Sequence, residues 1–303
     1  MEEAAKVEIS EQALTEFDRL YFPHCWTKRY PFNEILERHI QFFNENSESL
    51  KTLVKCEFNV PYGYGQREQY DIVGIDLPED APILVYIHGG YWQIKEITHS
   101  NQIFIAKVLH KHKIKVITLG YELCPNVTLP EIMNKICVAF KRCIDYARKK
   151  NSKGIYLLGH SVGAQLALSI YTKLFPLLSK DDQQLLKGVF LSCGLYDVTP
   201  ITKTIINQQL GLDEETAKTI SPEHNVFSSS KAIFHVLTAE NESPAFLEQG
   251  KKFHEKLIES GIRCEYHQLD GVDHFNAIER MIDEDFDLVK LIVETVAQNC
   301  SHD

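Results

Sequence analysis

Ile155-Tyr-Leu-Leu-Gly-His-Ser-Val-Gly163 joins a short apolar run to a Gly-x-Ser-x-Gly motif, and a helical pattern follows from residue 164. A short continuous apolar run is consistent with a buried strand. The stretch therefore predicts a strand, a sharp turn and a helix. In such a turn the serine hydroxyl is raised above the sheet, and the flanking glycines let the two backbones pass closely. Ser161 is the candidate nucleophile.

Short apolar runs alternate with helical patterns on both sides of this motif. The apolar runs lie at residues 83–87, 114–119, 154–158, 188–191, 233–237 and 263–269. The helical patterns lie at residues 101–110, 131–149, 164–174, 244–260 and 274–296. Continuous apolar strands that alternate with helices are typical of a parallel sheet covered on both faces. The pattern predicts an α/β fold with a mostly parallel, doubly wound sheet.

Three segments depart from this alternation. Residues 10–50 are rich in aromatic side chains and have a helical pattern. They are expected to form either a lid over the site or helices that pack on the core. Residues 54–60 and 70–75 alternate in polarity around a glycine-containing turn, which predicts an antiparallel hairpin. Residues 199–230 have no strand pattern and are predicted to form a small cap region near the site. No linker interrupts the sequence, so residues 1–303 are predicted to form one domain, with a helical segment at residues 1–50.

The segment His88-Gly-Gly-Tyr-Trp92 follows the apolar run 83–87 and lies 73 residues before Ser161. Glycines suit a loop that offers backbone N–H groups to a developing oxyanion, because a side chain would block the approach of a carbonyl group. The N–H groups of Gly89, Gly90 and Val162 are the expected donors. For the His88 ring, a hydrogen bond that shapes the loop is favoured over the role of base.

The candidate base is His274, which follows the last apolar run in Gly271-Val-Asp-His-Phe-Asn. The acid that orients it should follow the preceding strand, where Glu242 is favoured and Glu240 is the rival. Asp197 is a third option, although a carboxylate that caps its own loop is the favoured interpretation there. The order serine, acid, histidine is that of the α/β-hydrolase class.

Composition excludes several other classes of function. The formal net charge is −10, which opposes binding to nucleic acid or to an anionic membrane surface. The N-terminus lacks the basic and apolar regions of a signal peptide, so a cytoplasmic protein is expected. The eight cysteines include no Cys-x-x-Cys pair, and His110 and His112 have no acidic or cysteine partners nearby in sequence. No metal site and no dinucleotide-binding glycine motif is predicted.

The sequence resembles the kynurenine formamidase (arylformamidase) family, which is related to the esterases of the hormone-sensitive-lipase type. The resemblance rests on His88-Gly-Gly-Tyr-Trp, Gly120-Tyr-Glu-Leu-Cys-Pro, Gly159-His-Ser-Val-Gly-Ala and Asp273-His274. It implies an α/β-hydrolase fold, Ser161 as nucleophile and His274 as base. The family's acid, usually an aspartate in Asp-Ser-Pro, falls on Glu242. It also implies hydrolysis of N-formyl-L-kynurenine to L-kynurenine and formate, without a metal or cofactor.

Two further questions follow from this resemblance. Tyr91 and Trp92 are expected either to narrow the acyl pocket until little beyond a formyl group fits, or to pack away from it.

The rival functions are a general carboxylesterase of the same fold and a binding protein that has lost its chemistry. The substrate is expected to be a small molecule, and the sequence leaves the oligomeric state open, a homodimer included.

Overall fold

A sheet of eight strands runs through the part of the chain that the computed structural model describes, residues 10–225, 227 and 230–300. In chain order the strands are β1 (Cys56–Pro61), β2 (Gln69–Val73), β3 (Ile83–Ile87), β4 (Lys115–Leu119), β5 (Ile155–His160), β6 (Leu186–Ser192), β7 (Ile233–Asn241) and β8 (Cys264–Asp273). Neighbours pair in the order β1-β2-β4-β3-β5-β6-β7-β8. The pairs β1–β2 and β2–β4 are antiparallel, and the others are parallel. The predicted hairpin and mostly parallel sheet are both confirmed.

Helices cover both faces of this sheet. They are α1 (Glu16–Leu20), α2 (Ile35–Lys51), α3 (Ala106–Leu109), α4 (Leu129–Lys149), α5 (Val162–Ser169), α6 (Lys180–Leu185), α7 (Asn207–Leu210), α8 (Glu214–Ile220), α9 (Pro244–Glu259), α10 (Asn276–Glu279) and α11 (Asp287–Cys300). One core cluster joins α4, α5 and α9 to the sheet, and the other joins α2, α3 and α11. None of the described helices has the length and apolar character needed to cross a membrane.

Local sequence explains why the central elements form. Every residue of β3 is buried, as expected for a strand covered on both faces. The helix α4 begins with a capping box, in which Thr128 accepts from the Glu131 backbone N–H and the Glu131 side chain accepts from that of Thr128. Its buried residues recur at helical spacing, so one face packs on the sheet.

Two of the predicted helices are divided in the structure. The pattern at residues 274–296 forms α10, a 3₁₀ turn at Arg280–Ile282 and then α11. The break coincides with Asp283, whose side chain accepts from the Asp285 backbone N–H and so competes with a continuous helix. The pattern at residues 101–110 forms a 3₁₀ turn at Ile103–Ile105 and the short helix α3.

The N-terminal and cap segments consist of short helical pieces. Residues 21–34, between α1 and α2, contain only one 3₁₀ turn, Pro23–Cys25. The predicted insertion at 199–230 forms α7 and α8 with flanking 3₁₀ turns, and its residues 226, 228 and 229 lie outside the described part. Residues 1–9 of the predicted N-terminal segment also lie outside it.

Candidate active site

Ser161 lies on a strained turn between β5 and α5. Its φ and ψ are 57° and −126°, a conformation that side-chain-bearing residues rarely adopt. The Ser161 backbone N–H donates to Ser192 O over 2.9 Å, which anchors the turn to β6. A Cβ on Gly163 would lie 2.1 Å from Ile87 O, and one on Gly159 would lie 2.4 Å from Gly163 O. Both glycines are therefore required by the close approach of the backbones around the turn.

The loop after β3 lies directly against this turn. A Cβ on Gly89 would be 2.9 Å from Ser161 Cβ, so the Gly89 backbone adjoins the serine. Among the described residues, the backbone N–H groups of Gly89, Gly90 and Val162 donate to no protein acceptor. They are therefore available to stabilise negative charge beside Ser161.

His88 shapes this loop, as its sequence context suggested. The His88 Nδ1–H donates to Gly89 O over 2.8 Å, and the ring stacks on Tyr121 with the centroids 4.3 Å apart. The Tyr121 hydroxyl donates to His88 O over 2.9 Å. Because the ring is buried, its pKa is lowered to about 3. His88 is a neutral support for the loop.

The two aromatic residues after the glycines point in different directions. Tyr91 lines the cavity above Ser161, and its hydroxyl donates to Tyr21 O in the N-terminal segment. Trp92 is fully buried in the core, and its carbonyl accepts from the Cys124 backbone N–H over 2.8 Å. Of the two alternatives stated for Trp92, the structure shows the second, because its ring packs in the core away from the cavity.

His274 meets a buried carboxylate at the ends of β7 and β8. Its Nδ1 lies 2.6 Å from Glu242 Oε2, and Glu242 Oε1 accepts from the Ser243 backbone N–H over 2.9 Å. His274 is 5% exposed and Glu242 is 4% exposed, so water screens the pair weakly. A carboxylate in this position fixes the ring orientation and leaves Nε2 as the other reactive nitrogen.

The two other candidate acids serve different purposes. Glu240 is exposed, and its Oε2 accepts from the Gly271 backbone N–H over 2.7 Å. Asp197 Oδ1 accepts from both the backbone N–H and the hydroxyl of Thr199, which caps its own loop. Of the three carboxylates, Glu242 is the one that contacts His274.

Cys193 also lies at the Glu242–His274 pair. Potential ligand atoms of the three side chains lie within 4.8 Å of one another. Burial, together with the nearby Glu242 carboxylate, raises the pKa of the Cys193 thiol well above its usual range.

Three more histidines surround His274. His160 Nε2–H donates to His274 O over 2.9 Å, which supports the backbone of the base. Burial lowers the pKa values of His160, His24 and His39, and the neighbouring histidines lower them further, although Glu279 opposes this shift at His39. The pKa of His24 falls to about 3. Since all three rings are neutral near pH 7, they favour uncharged groups in the cavity.

A cavity of about 40 Å³ opens onto Ser161, and two parts of its lining are distinguished here. The first, here called the motif wall, comprises Gly89, Gly90, Tyr91, His160, Ser161 and His274. The second, here called the N-terminal wall, comprises Pro23, His24, Leu36, His39 and Phe43. The remaining lining residues are Tyr86, Ile94, Ile97, Gln102 and Phe275. The aromatic N-terminal segment therefore contributes directly to the surroundings of Ser161.

Comparisons with known proteins agree with this geometry. A family model described as alpha/beta hydrolase fold matches residues 84–277. The chain is 31% identical over 291 residues to the kynurenine formamidase of Salmo salar, and the match covers 94% of this chain and 97% of that protein. The chain belongs to the kynurenine formamidase family of α/β hydrolases. The kynurenine formamidase of Danio rerio is 28% identical to this chain, and the match covers 94% of this chain and 97% of that protein.

Solved structures confirm the α/β-hydrolase fold of this family member. A candidate thioesterase from Silicibacter superposes with a TM-score of 0.73 at 26% identity, covering 91% of this chain and 98% of its own. An esterase from Pyrobaculum calidifontis superposes with a TM-score of 0.65 at 17% identity, covering 88% and 94%. At 17% identity, the similarity to the Pyrobaculum calidifontis esterase supports the shared fold alone.

Sequence reasoning missed the residues that hold the His274 loop of this kynurenine formamidase relative. The Asp273 carboxylate accepts from the Thr27 hydroxyl over 2.5 Å and from Arg29 Nε over 2.9 Å. Arg29 also contacts Glu279 over 2.8 Å, and Glu279 lies 2.6 Å from His39 Nδ1. The N-terminal segment is thus fastened to the residue next to the candidate base. The signal available in the sequence was a positively charged residue, Arg29, within a segment that is rich in aromatic residues.

Proposed function

We propose that this protein is a serine hydrolase that converts N-formyl-L-kynurenine to L-kynurenine and formate. The observation that carries the proposal is the shared cavity of Ser161 and His274, with His274 Nδ1 2.6 Å from Glu242. The curated relatives of nearly full length, from Salmo salar, Danio rerio and Drosophila melanogaster, are named kynurenine formamidase. The geometry supports a Ser161–His274–Glu242 triad, and the names of the relatives support the choice of substrate.

In the proposed mechanism, His274 Nε2 accepts the proton of the Ser161 hydroxyl while Oγ attacks the formyl carbon. The resulting oxyanion accepts hydrogen bonds from backbone N–H groups of Gly89, Gly90 and Val162. Each such donor typically contributes about 2.7–4 kcal/mol to the stability of the transition state. Glu242 stabilises the imidazolium form of His274.

The tetrahedral intermediate then breaks its carbon–nitrogen bond. His274 transfers its proton to the departing aryl amine, which leaves as L-kynurenine, and the formyl group remains esterified to Ser161. A water molecule, deprotonated by His274, attacks this formyl-enzyme. The carbon–oxygen bond to Ser161 then breaks, Oγ takes the proton back from His274, and the product leaves as formic acid, which ionises to formate in solution. The proposed cycle therefore needs only residues of this chain and one water molecule.

The shape of the cavity favours a small acyl group. A volume of about 40 Å³ accommodates only a few water molecules, so a formyl group fits beside Ser161 more readily than a longer acyl chain. Tyr91 occupies the acyl side of the motif wall. The neutral histidines around His274 suit an uncharged formamide, so we expect the charged amino-acid end of the substrate to lie towards solvent.

The test compares kcat/KM for N-formyl-L-kynurenine with that for p-nitrophenyl butyrate. We expect a strong preference for the formamide, together with covalent labelling of Ser161 by an organophosphate. Labelling with fast ester hydrolysis and a poor formamide rate would identify a general carboxylesterase. No labelling and no turnover of either substrate would identify a binding protein.

A further inference from the structure

A second cluster of potential metal ligands lies on the outer strands of the sheet, away from Ser161. His235 on β7 pairs in register with Glu265 on β8, and His267 follows two residues later on the same face of β8. His235 Nδ1 lies 3.1 Å from His267 Nε2 and 3.5 Å from Glu265 Oε2. The Glu265 oxygen lies 3.6 Å from His267 Nε2. Three potential ligand atoms therefore form a nearly equilateral triangle.

The dimensions of this triangle match a tetrahedral metal site. Metal–ligand bonds of about 2.0–2.2 Å at tetrahedral angles separate neighbouring ligand atoms by about 3.3 Å. The observed separations of 3.1, 3.5 and 3.6 Å need only small rotations of the two β8 side chains. Two imidazoles and a carboxylate are a ligand set that Zn²⁺ uses in proteins.

The surroundings of His235 prepare its ring for such a role. The Thr295 hydroxyl on α11 donates to Leu291 O over 2.7 Å, so its oxygen is left to accept from His235 Nε2–H at 3.4 Å. That arrangement places the lone pair on Nδ1, facing Glu265 and His267. The ring also stacks on Phe190 with the centroids 4.9 Å apart. Outer contacts of this kind fix the ring orientation and tautomer of metal-bound histidines.

The cluster is also open on one side. The His235 side chain is 2% exposed, whereas those of His267 and Glu265 are 30% and 49% exposed. His267 borders a surface cavity of about 290 Å³ that also meets α11. The partial exposure of His267 and Glu265 gives a solvent molecule access to the fourth coordination position.

We propose that His235, Glu265 and His267 form a binding site for a divalent transition-metal ion of the Zn²⁺ class. Such an ion links β7 to β8, the last strand of the sheet, and so reinforces an edge strand. Glu242 and His274 directly follow these two strands. The metal site itself lies away from Ser161, and metal binding there is independent of the proposed hydrolysis.

The experiment uses the full-length protein after removal of metals with EDTA. Titration with Co²⁺ is followed by its visible ligand-field bands, which are intense for tetrahedral coordination, and Zn²⁺ is then added in competition. We expect one Co²⁺ per chain with a tetrahedral spectrum, and a melting temperature that rises with metal concentration. Formamidase activity is measured on the same samples.

The H267Q variant removes one ligand at a partly exposed position, so its fold should be retained. We expect Co²⁺ affinity to fall by more than about 100-fold, because even loss of an outer-shell partner costs 10–100-fold, while hydrolysis is unchanged. H112Q is the matched control, since His112 contacts a carboxylate, Glu284, over 3.5 Å outside the cluster. Its metal affinity should equal that of the wild type.

Four results would overturn the proposal. The first three are the absence of saturable binding, an octahedral spectrum, and a loss of binding that is equal in H267Q and H112Q. A fourth is binding that survives H267Q but disappears in C193S, because the metal would then lie at the Glu242–His274 pair. These outcomes do not depend on whether the protein hydrolyses N-formyl-L-kynurenine.

Discussion

The two walls of the cavity differ in how they are held in place. The motif wall is built on backbone constraints: Ser161 is strained, and the end of β3 and the first turn of α5 approach so closely that Gly163 admits no side chain. The N-terminal wall is built on ring packing and on a few side-chain bonds. His24 packs edge-on against Phe275 at 5.1 Å, and Arg29 connects the segment to Asp273.

This difference explains which half of the site can be recognised from sequence. Backbone constraints permit few residue types, so the motif wall carries short patterns such as those around Gly89 and Ser161. Aromatic packing tolerates many combinations of similar volume, so the N-terminal wall carries no motif. We expect substitutions in the motif wall to remove the chemistry, and substitutions in the N-terminal wall to alter its efficiency.

The largest effect is expected for S161A. Loss of the nucleophile should lower kcat by about 10⁵–10⁶-fold, as for single substitutions of the nucleophile in other serine hydrolases. Circular dichroism and the melting temperature should stay close to those of the wild type. Substantial turnover of N-formyl-L-kynurenine by S161A would show that the motif wall does not carry the chemistry.

The next effect is expected for E242Q, which keeps the size of the side chain but removes its charge. The imidazolium form of His274 would lose its counter-charge, and kcat should fall by about 10⁴-fold. E240Q is the matched control, since Glu240 is exposed and contacts the Gly271 backbone instead. Steady-state kinetics that rank E240Q below E242Q would reverse this assignment.

A smaller effect is expected where the two walls meet. Tyr91 has a φ of 50°, so glycine fits its backbone, and Y91G should fold while opening the acyl side of the cavity. The ratio of kcat/KM for p-nitrophenyl butyrate to that for N-formyl-L-kynurenine should rise about tenfold. K113G, at a remote positive φ of 62°, controls for the glycine itself. An unchanged ratio in Y91G would remove Tyr91 from the selection of the acyl group.

The smallest effect is expected for R29M, in the segment that carries the N-terminal wall. Loss of the Arg29 contacts to Asp273 and Glu279 should loosen the His274 loop and lower kcat/KM about fivefold, well within the range caused by small misplacements. R19M is the control, because Arg19 pairs with Glu11 on the surface. Equal kinetics of R29M and the wild type would mean that the N-terminal wall does not position the base.

The free energy of unfolding of R29M is also expected to depend on pH differently from that of the wild type. Although burial opposes the shift, hydrogen bonds from Arg29 and Thr27 lower the pKa of Asp273, and those from His39 and Arg29 lower that of Glu279. Ordinary values are about 3.9 for Asp and 4.3 for Glu. Both carboxylates therefore stabilise the fold above these values, and the contribution is lost as the pH falls below about 4. Urea unfolding should show R29M to be less stable than the wild type at pH 7, with the difference shrinking at pH 3.5.

The fold could be predicted closely because each element carries its own signal. The apolar runs predicted the six strands from β3 to β8, and polarity alternation predicted the hairpin of β1 and β2. The single helix predicted for residues 274–296 was wrong, because capping by Asp283 is a local competition that helical periodicity does not register. The position of the Trp92 ring stayed open because a sequence does not show on which side of a loop a ring lies.

By itself the sequence determined the α/β-hydrolase fold, the family and the candidates Ser161, His274 and Glu242, since strand–turn–helix motifs are local and their chemistry restricts the residue types. Only the tertiary structure separated Glu242 from Glu240, because both lie around the end of β7 and only the fold brings one of them to His274. It also decided that Arg29 reaches Asp273, 244 residues away, and that His235 meets His267 across two strands. Contacts between distant segments depend on how the elements pack, and no local pattern in the chain records that packing.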